Sequence, residues 1–176
     1  MFADLPPYGN WAHDPIDWAV VTGITTGTDP THFSPKGLCS RAQVVTFLWR
    51  CFGSPSAESG PTFSDVPPDA WYADAVSWAV AAGVTNGTDA EHFSPNRTCT
   101  RGQAVTFLWN ALGKPEPAAE DNPFLDVSPG RYYYKAVLWA VETGVTRGVS
   151  PDRFGTEQAC TRAHAVAFLY NSERNR

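Results

Sequence analysis

The chain repeats itself three times, and that periodicity limits its possible folds more than any other feature. The stretch C-S-R-A-Q-V-V-T-F-L-W-R at 39–50 returns as C-T-R-G-Q-A-V-T-F-L-W-N at 99–110 and as C-T-R-A-H-A-V-A-F-L-Y-N at 160–171. Trp18, Trp78 and Trp139 recur with Gly23, Gly83 and Gly144 five residues later, followed by Phe33, Phe93 and Phe154. The spacing is 60 residues from the first copy to the second and 61 from the second to the third. Each copy opens on Phe-x-Asp-aliphatic: F-A-D-L from Phe2, F-S-D-V from Phe63 and F-L-D-V from Phe124. The copies cover residues 1–53, 63–113 and 124–171. The connectors G-S-P-S-A-E-S-G-P-T and G-K-P-E-P-A-A-E-D-N-P have the composition of exposed loops.

Two helices are legible in each copy. In the second, W-Y-A-D-A-V-S-W-A-V-A-A (71–82) places Trp71, Ala75, Trp78, Ala79 and Ala82 along one stripe. Gly83 follows where a left-handed residue ends a helix. In the first copy, Asp14 and Pro15 predict an N-cap and first helical position, hence a later start. The turn-rich V-T-N-G-T-D-A-E-H-F-S-P that comes next leaves room for a short extended piece at most. From Val44 to Phe52 nearly every residue is apolar and Gly53 closes the run; a helix apolar almost all round is buried. These patterns predict an all-α domain of three tandem two-helix repeats, a pseudo-threefold bundle. Its central core is the three second helices, with the first helices outside. One copy cannot cover its own apolar faces, so the three should form one cooperative domain.

Composition narrows the function. With 13 Lys and Arg against 18 Asp and Glu, the net charge of −5 argues against nucleic acid as a bulk electrostatic partner. A local cationic site remains open. The longest apolar runs are only a few residues, too short to insert in a membrane. The opening M-F-A-D-L-P-P lacks the basic region and apolar stretch of a signal peptide, as in a cytosolic chain or a piece of a longer protein.

The quoted stretch carries the chemical question. Ser40, Thr100 and Thr161 stand at N-cap positions, with Gln43, Gln103 and His164 three residues on, the spacing of a capping box. His164 could imitate the glutamine only as a neutral acceptor. Arg41, Arg101 and Arg162 fall at the first helical position, where the helix dipole already makes the field positive. A cation placed there three times asks for an anion. Two readings stand: a bound carboxylate or phosphate, or an internal salt bridge to the repeated Asp4, Asp65 and Asp126. On the first reading, arginine-to-alanine changes cost binding and leave thermal stability nearly unchanged.

The order F-x-D-V, W, G-V-T-x-G, F-S-P, T-R-x-x resembles the S-layer homology repeat of bacterial cell-surface proteins, over essentially the whole chain. The family's T-R-A-E signature stands here as S-R-A-Q, T-R-G-Q and T-R-A-H. The resemblance implies an anchoring module, extracellular at the bacterial cell surface or wall, that binds secondary cell-wall polysaccharide bearing pyruvylated sugars in grooves between copies. The ketal carboxylate would be the anion. It also implies Arg41, Arg101 and Arg162 as carboxylate ligands, and Gly27, Gly87 and Gly148 as loop positions where ligand meets backbone N–H groups. Trp11, Trp71 and Tyr132 either face a sugar ring or pack plainly against the bundle. Trp18, Trp78 and Trp139 are core. The module would be monomeric and part of a larger surface protein.

Other constellations carry less. Cys39, Cys99 and Cys160 share one position, which makes them small core hydrophobes with free thiols; a pairing of Cys51 with another copy stays open. Cys160 and His164 do not form a nucleophile pair, because the other copies have glutamine at the histidine position. His13, His32, His92 and His164 lack metal-ligand spacing, so no metal and no cofactor is expected, and His32 and His92 should be solvated. Three functions remain: a carbohydrate-binding anchor, a protein–protein assembly element of the surface, and an envelope hydrolase. The last needs convergent carboxylates or an activated nucleophile that the motifs do not supply.

Overall fold

The computed structural model describes residues 2–57, 62–118 and 121–175; residues 58–61 and 119–120 of the two connectors, Met1 of the first copy and the last residue, Arg176, lie outside it. Its regular structure among these residues is six α-helices, two per copy: α1 (His13–Val21), α2 (Arg41–Cys51), α3 (Ala73–Ala81), α4 (Arg101–Ala111), α5 (Tyr134–Glu142) and α6 (Arg162–Arg174). Only isolated β-bridges accompany them, two of which, Asp29 with His32 and Ser150 with Arg153, lie in the turn-rich segments.

The even-numbered helices start where their caps dictate. Ser40 and Thr100 accept from the N–H of Gln43 and Gln103, while those glutamines accept from the cap N–H, completing both boxes. The third box is half made. Thr161 accepts the N–H of His164, but the imidazole Nδ1 meets the threonine hydroxyl at 2.9 Å instead of reaching back to the backbone. The odd-numbered helices start without a side-chain cap. α1 begins at His13, not after Asp14, and Pro15 sits inside its first turn. A proline is tolerated there because the first N–H groups of a helix have no intrahelical acceptor to lose. α3 likewise begins at Ala73, two residues later than the stripe suggested, leaving Trp71 outside the helix.

α2, α4 and α6 pack against one another, and Val45, Val105 and Val166 among them are wholly enclosed. The outer helices do not rest on their own copy's central helix. α3 packs on α2, α5 on α4, and α1 on α6, so each outer helix leans on the preceding copy and the first leans on the last. The backbone repeats this cyclic order beside the central helices. Cys99 N–H donates to Cys39 C=O at 2.9 Å, Cys160 N–H to Cys99 C=O at 2.8 Å, and Cys39 N–H to Cys160 C=O at 2.9 Å. Their thiols are free and fully enclosed. Burial pushes Cys39 and Cys99 up to about 12 and Cys160 well above the ordinary thiol value. No disulfide joins Cys51 to another cysteine among the described residues. Trp78 and Trp139 are buried, and Trp18 is half-buried beside the Tyr170 ring, 5.6 Å away.

Candidate functional site

Arg41, Arg101 and Arg162 open the three central helices, and they are only 3, 3 and 4 % exposed. Each reaches into the following copy. The Nε of Arg41 donates to Phe93 C=O at 2.9 Å, that of Arg101 to Phe154 C=O at 3.2 Å, and that of Arg162 to Phe33 C=O at 2.7 Å. Each guanidinium also faces two phenyl rings of that copy. Arg41 lies 4.9 and 5.2 Å from the Phe93 and Phe107 centroids, Arg101 5.1 and 5.4 Å from Phe154 and Phe168, and Arg162 4.8 and 5.3 Å from Phe33 and Phe47. These separations are within cation–π range. Desolvation draws all three guanidinium pKa values below the ordinary one.

The repeated aspartates do not pair with the arginines. Asp65 accepts the N–H groups of Phe93 and Ser94 at 2.9 and 2.8 Å, and Asp4 does the same for Phe33 and Ser34. Asp126 takes the N–H groups of Phe154, Gly155 and Thr156. The peptide joining Phe93 to Ser94 therefore gives its N–H to Asp65 and takes Arg41 at its oxygen. No ion pair among the described residues involves Arg41, Arg101 or Arg162. The internal salt bridge that the sequence left open is absent. Each buried cation is held by neutral carbonyls and ring faces, and the repeated aspartate acts on it only through space, without a contact ion pair.

The helix ends themselves are already occupied. The N–H groups of Arg41 and Ala42 donate to the carbonyls of Arg97 and Pro95, those of Arg101 and Gly102 to Gln158 and Thr156, and those of Arg162 and Ala163 to Gly37 and Pro35. The third N–H of each helix goes to its cap. An anion drawn to this region would meet the guanidinium, not the helix dipole donors.

Two grooves open in front of these arginines. One, of about 630 Å³, is lined by Arg41 from the first copy, the loop Gly83–Thr88 and α4 from the second, and Tyr132 from the third. The other, of about 620 Å³, combines Arg101, the loop Gly144–Val149 and α6, and Trp11. Each groove thus draws on all three copies. His164 lines the second groove with Arg101, while Arg162 of the same helix points at the first copy. Trp11, Trp71 and Tyr132 are 57, 61 and 57 % exposed, so they are not plainly packed. Trp11 stacks on His164 with centroids 5.1 Å apart, whereas Trp71 and Tyr132 meet Tyr72 and Tyr133 edge-on. Burial, and then Arg101, lower the His164 pKa to about 4.

Gly87 and Gly148 lie in these loops, and Gly27 holds the matching place in the first copy. Their lack of a side chain has a packing cause. A Cβ at Gly27, Gly87 or Gly148 would come within 2.6 Å of the Phe2, Phe63 or Phe124 ring, and as close to a loop carbonyl. The N–H groups of Gly27 and Gly87 already donate to Thr25 and Thr85 hydroxyls at 3.3 and 3.2 Å.

Some groove residues escaped the sequence reading. Asn110 and Asn171 donate to Val84 and Val145 carbonyls, and Arg50 does so to Ile24. Arg97 and Lys114 line the Arg41 groove. The signal for them lay in the differences between copies rather than the likeness, since Gly37 and Gln158 correspond to Arg97, and Ser54 and Asn175 to Lys114. His32 and His92 form exposed pairs with Asp29 and Asp89 in the same loops.

The family model for the S-layer homology domain matches residues 2–45, 62–105 and 123–166. Over 166 residues the chain is 26 % identical to the exoglucanase XynX of Acetivibrio thermocellus, covering 92 % of this chain and 15 % of that protein. It is 26 % identical to an S-layer protein of Bacillus thuringiensis subsp. finitimus over 177 residues, 98 % of this chain and 21 % of the relative. With the surface-layer 125 kDa protein of Lysinibacillus sphaericus it shares 37 % over 100 residues, 56 % of this chain and 8 % of that one. The chain spans less than a quarter of the length of each.

Proposed function

The chain belongs to the S-layer homology family, and from that premise we propose that it is a non-catalytic anchoring module of the bacterial cell surface. Its ligand is an anionic secondary cell-wall polysaccharide carrying pyruvylated sugars, bound in the grooves between copies. Arg41, Arg101 and Arg162 meet the ketal carboxylate, the loops at Gly27, Gly87 and Gly148 form the groove walls, and Trp11, Trp71 and Tyr132 offer ring faces to the sugar. One observation carries this reading: Arg41 and Arg101, buried and without a contact carboxylate partner, stand at grooves lined by the exposed rings of Tyr132 and Trp11. A monoanion seated there supplies a countercharge in direct contact, and a planar guanidinium suits a carboxylate.

Relatives named as enzymes and relatives named as surface-layer proteins share this stretch as a small part of their length. That supports a role separate from catalysis. The test is a pull-down of the purified chain with cell-wall sacculi, before and after their attached polysaccharide is removed. Retention only on intact sacculi is expected. Equal retention on both, or self-association without sacculi, would favour a protein assembly element instead.

A further inference from the structure

We infer that the groove in front of Arg41 is the principal anion site of this chain, the one that takes the carboxylate-bearing sugar first. The inference rests on the anchoring reading and ranks what that reading leaves equal. The three guanidiniums differ at Nη2. That of Arg101 donates to Arg147 C=O at 3.2 Å, and that of Arg162 to Thr25 Oγ1 at 3.2 Å. The Nη2 of Arg41 is buried with no partner at all. The other such side-chain atom among the described residues is the Thr46 hydroxyl, which carries no charge. A buried donor on a cation is among the costliest groups to leave unmade, so the Arg41 groove has the largest unmet demand for an acceptor.

The surrounding charge agrees with this. Arg97 and Lys114 join Arg41 in lining that groove, and no aspartate or glutamate lines it. Arg97 is close enough to depress the Arg41 pKa further, after burial. At the corresponding places the Arg162 side has Gly37 and Ser54, and the Arg101 groove has Gln158 and Asn175. Arg147 adds one cation to the Arg101 groove. On the Arg162 side, Arg50 is tied to the Ile24 carbonyl at 3.2 Å. Three converging cations on a chain of net charge −5 are an electrostatic cost unless an anion sits among them.

The test avoids Arg41 itself, whose removal would disturb the core. Arg97 and Lys114 are exposed, so the Arg97→Ala/Lys114→Ala variant keeps its fold. The probe is a methyl hexoside carrying one pyruvate ketal, with its uncharged methyl ester as control, titrated by amide NMR. Expected are shifts that the ester does not produce, first at residues 85–88 and Gln103, and at least tenfold weaker binding in the double variant. Arg147→Ala, in the other groove, should weaken first binding less than threefold. Shifts appearing first at 145–149 or 25–28, or wild-type affinity in the double variant, overturn the ranking. So does an absence of shifts while sacculi still retain the chain, which leaves the anchoring reading standing; loss of both brings both down.

Discussion

Arg162, in the last helix, donates from Nε to the carbonyl of Phe33, 129 residues earlier, at 2.7 Å and lays its guanidinium 4.8 Å from the same residue's ring. This contact joins the third copy to the first in the manner that Arg41 joins the first to the second. It makes the arginines part of the fold as well as of the groove. Arg162→Ala should therefore lose about 2–3 kcal/mol of stability, the worth of a charge-assisted hydrogen bond with a ring contact added. That reverses the expectation from sequence that such variants keep their thermal stability. Denaturant unfolding of the variant decides it; a midpoint matching wild type would sink the structural role.

The three copies should unfold as one. A fragment of residues 1–118 keeps α1, α2, α3 and α4 but strips α1 of α6 and leaves α2 and α4 with an open face. We expect no sharp calorimetric transition from it. A cooperative two-copy transition would show that a pair of copies suffices.

Glycine at the groove loops is fixed by space as much as by backbone angle. Gly87 has φ +85° and a Cβ there would lie 2.5 Å from His92 C=O and 2.6 Å from the Phe63 ring. Gly83 has φ +68° with nothing within 4 Å. Gly87→Ala should cost about 2–3 kcal/mol, since strain and overpacking add. Gly83→Ala should cost about 1 kcal/mol from the left-handed backbone alone. Equal midpoints for the two variants would remove the packing argument.

His164 should make the fold acid-sensitive. Its folded pKa of about 4 is below the ordinary 6.5 because burial, then Arg101, disfavours the imidazolium. Between those values the unfolded chain binds the proton more readily, so stability present above pH 6.5 is lost as pH falls toward 4. The loss is on the order of 1–2 kcal/mol once solvent screening at a partly open ring is allowed for. His164→Gln should complete the third capping box and flatten this part of the stability–pH curve. An unchanged curve would place the acid sensitivity elsewhere, for instance on the carboxylates.

Much of the fold was legible in the sequence because helix periodicity, caps and closing glycines are local signals. Ser40 with Gln43 and Thr100 with Gln103 announce their helices within four residues. The partnership of copies was not legible, since Phe33, Phe93 and Phe154 are interchangeable in the pattern. Nothing local says that Arg41 takes Phe93 rather than Phe33. Pro15 misled because a proline in the first turn resembles one at its first position. The third copy's departures become intelligible only in three dimensions. Ser34 and Ser94 adopt φ of 60° and 58° and bond Thr28 and Thr88 at 2.8 Å. Where Val149 removes that hydroxyl, Gly155 at φ 79° takes the left-handed backbone at lower cost. The three arginines were found from sequence, but their burial was not, because the residues enclosing them come from another copy.

The leaning of α1 on α6 also limits how such a chain can grow. An open solenoid ends on faces that accept another unit, and its length is free to vary. Here the surface a fourth copy would need on α6 is already covered by α1. Appending one more copy would mean prising the first away, so longer arrays of this unit should come as separate triplets joined by linkers.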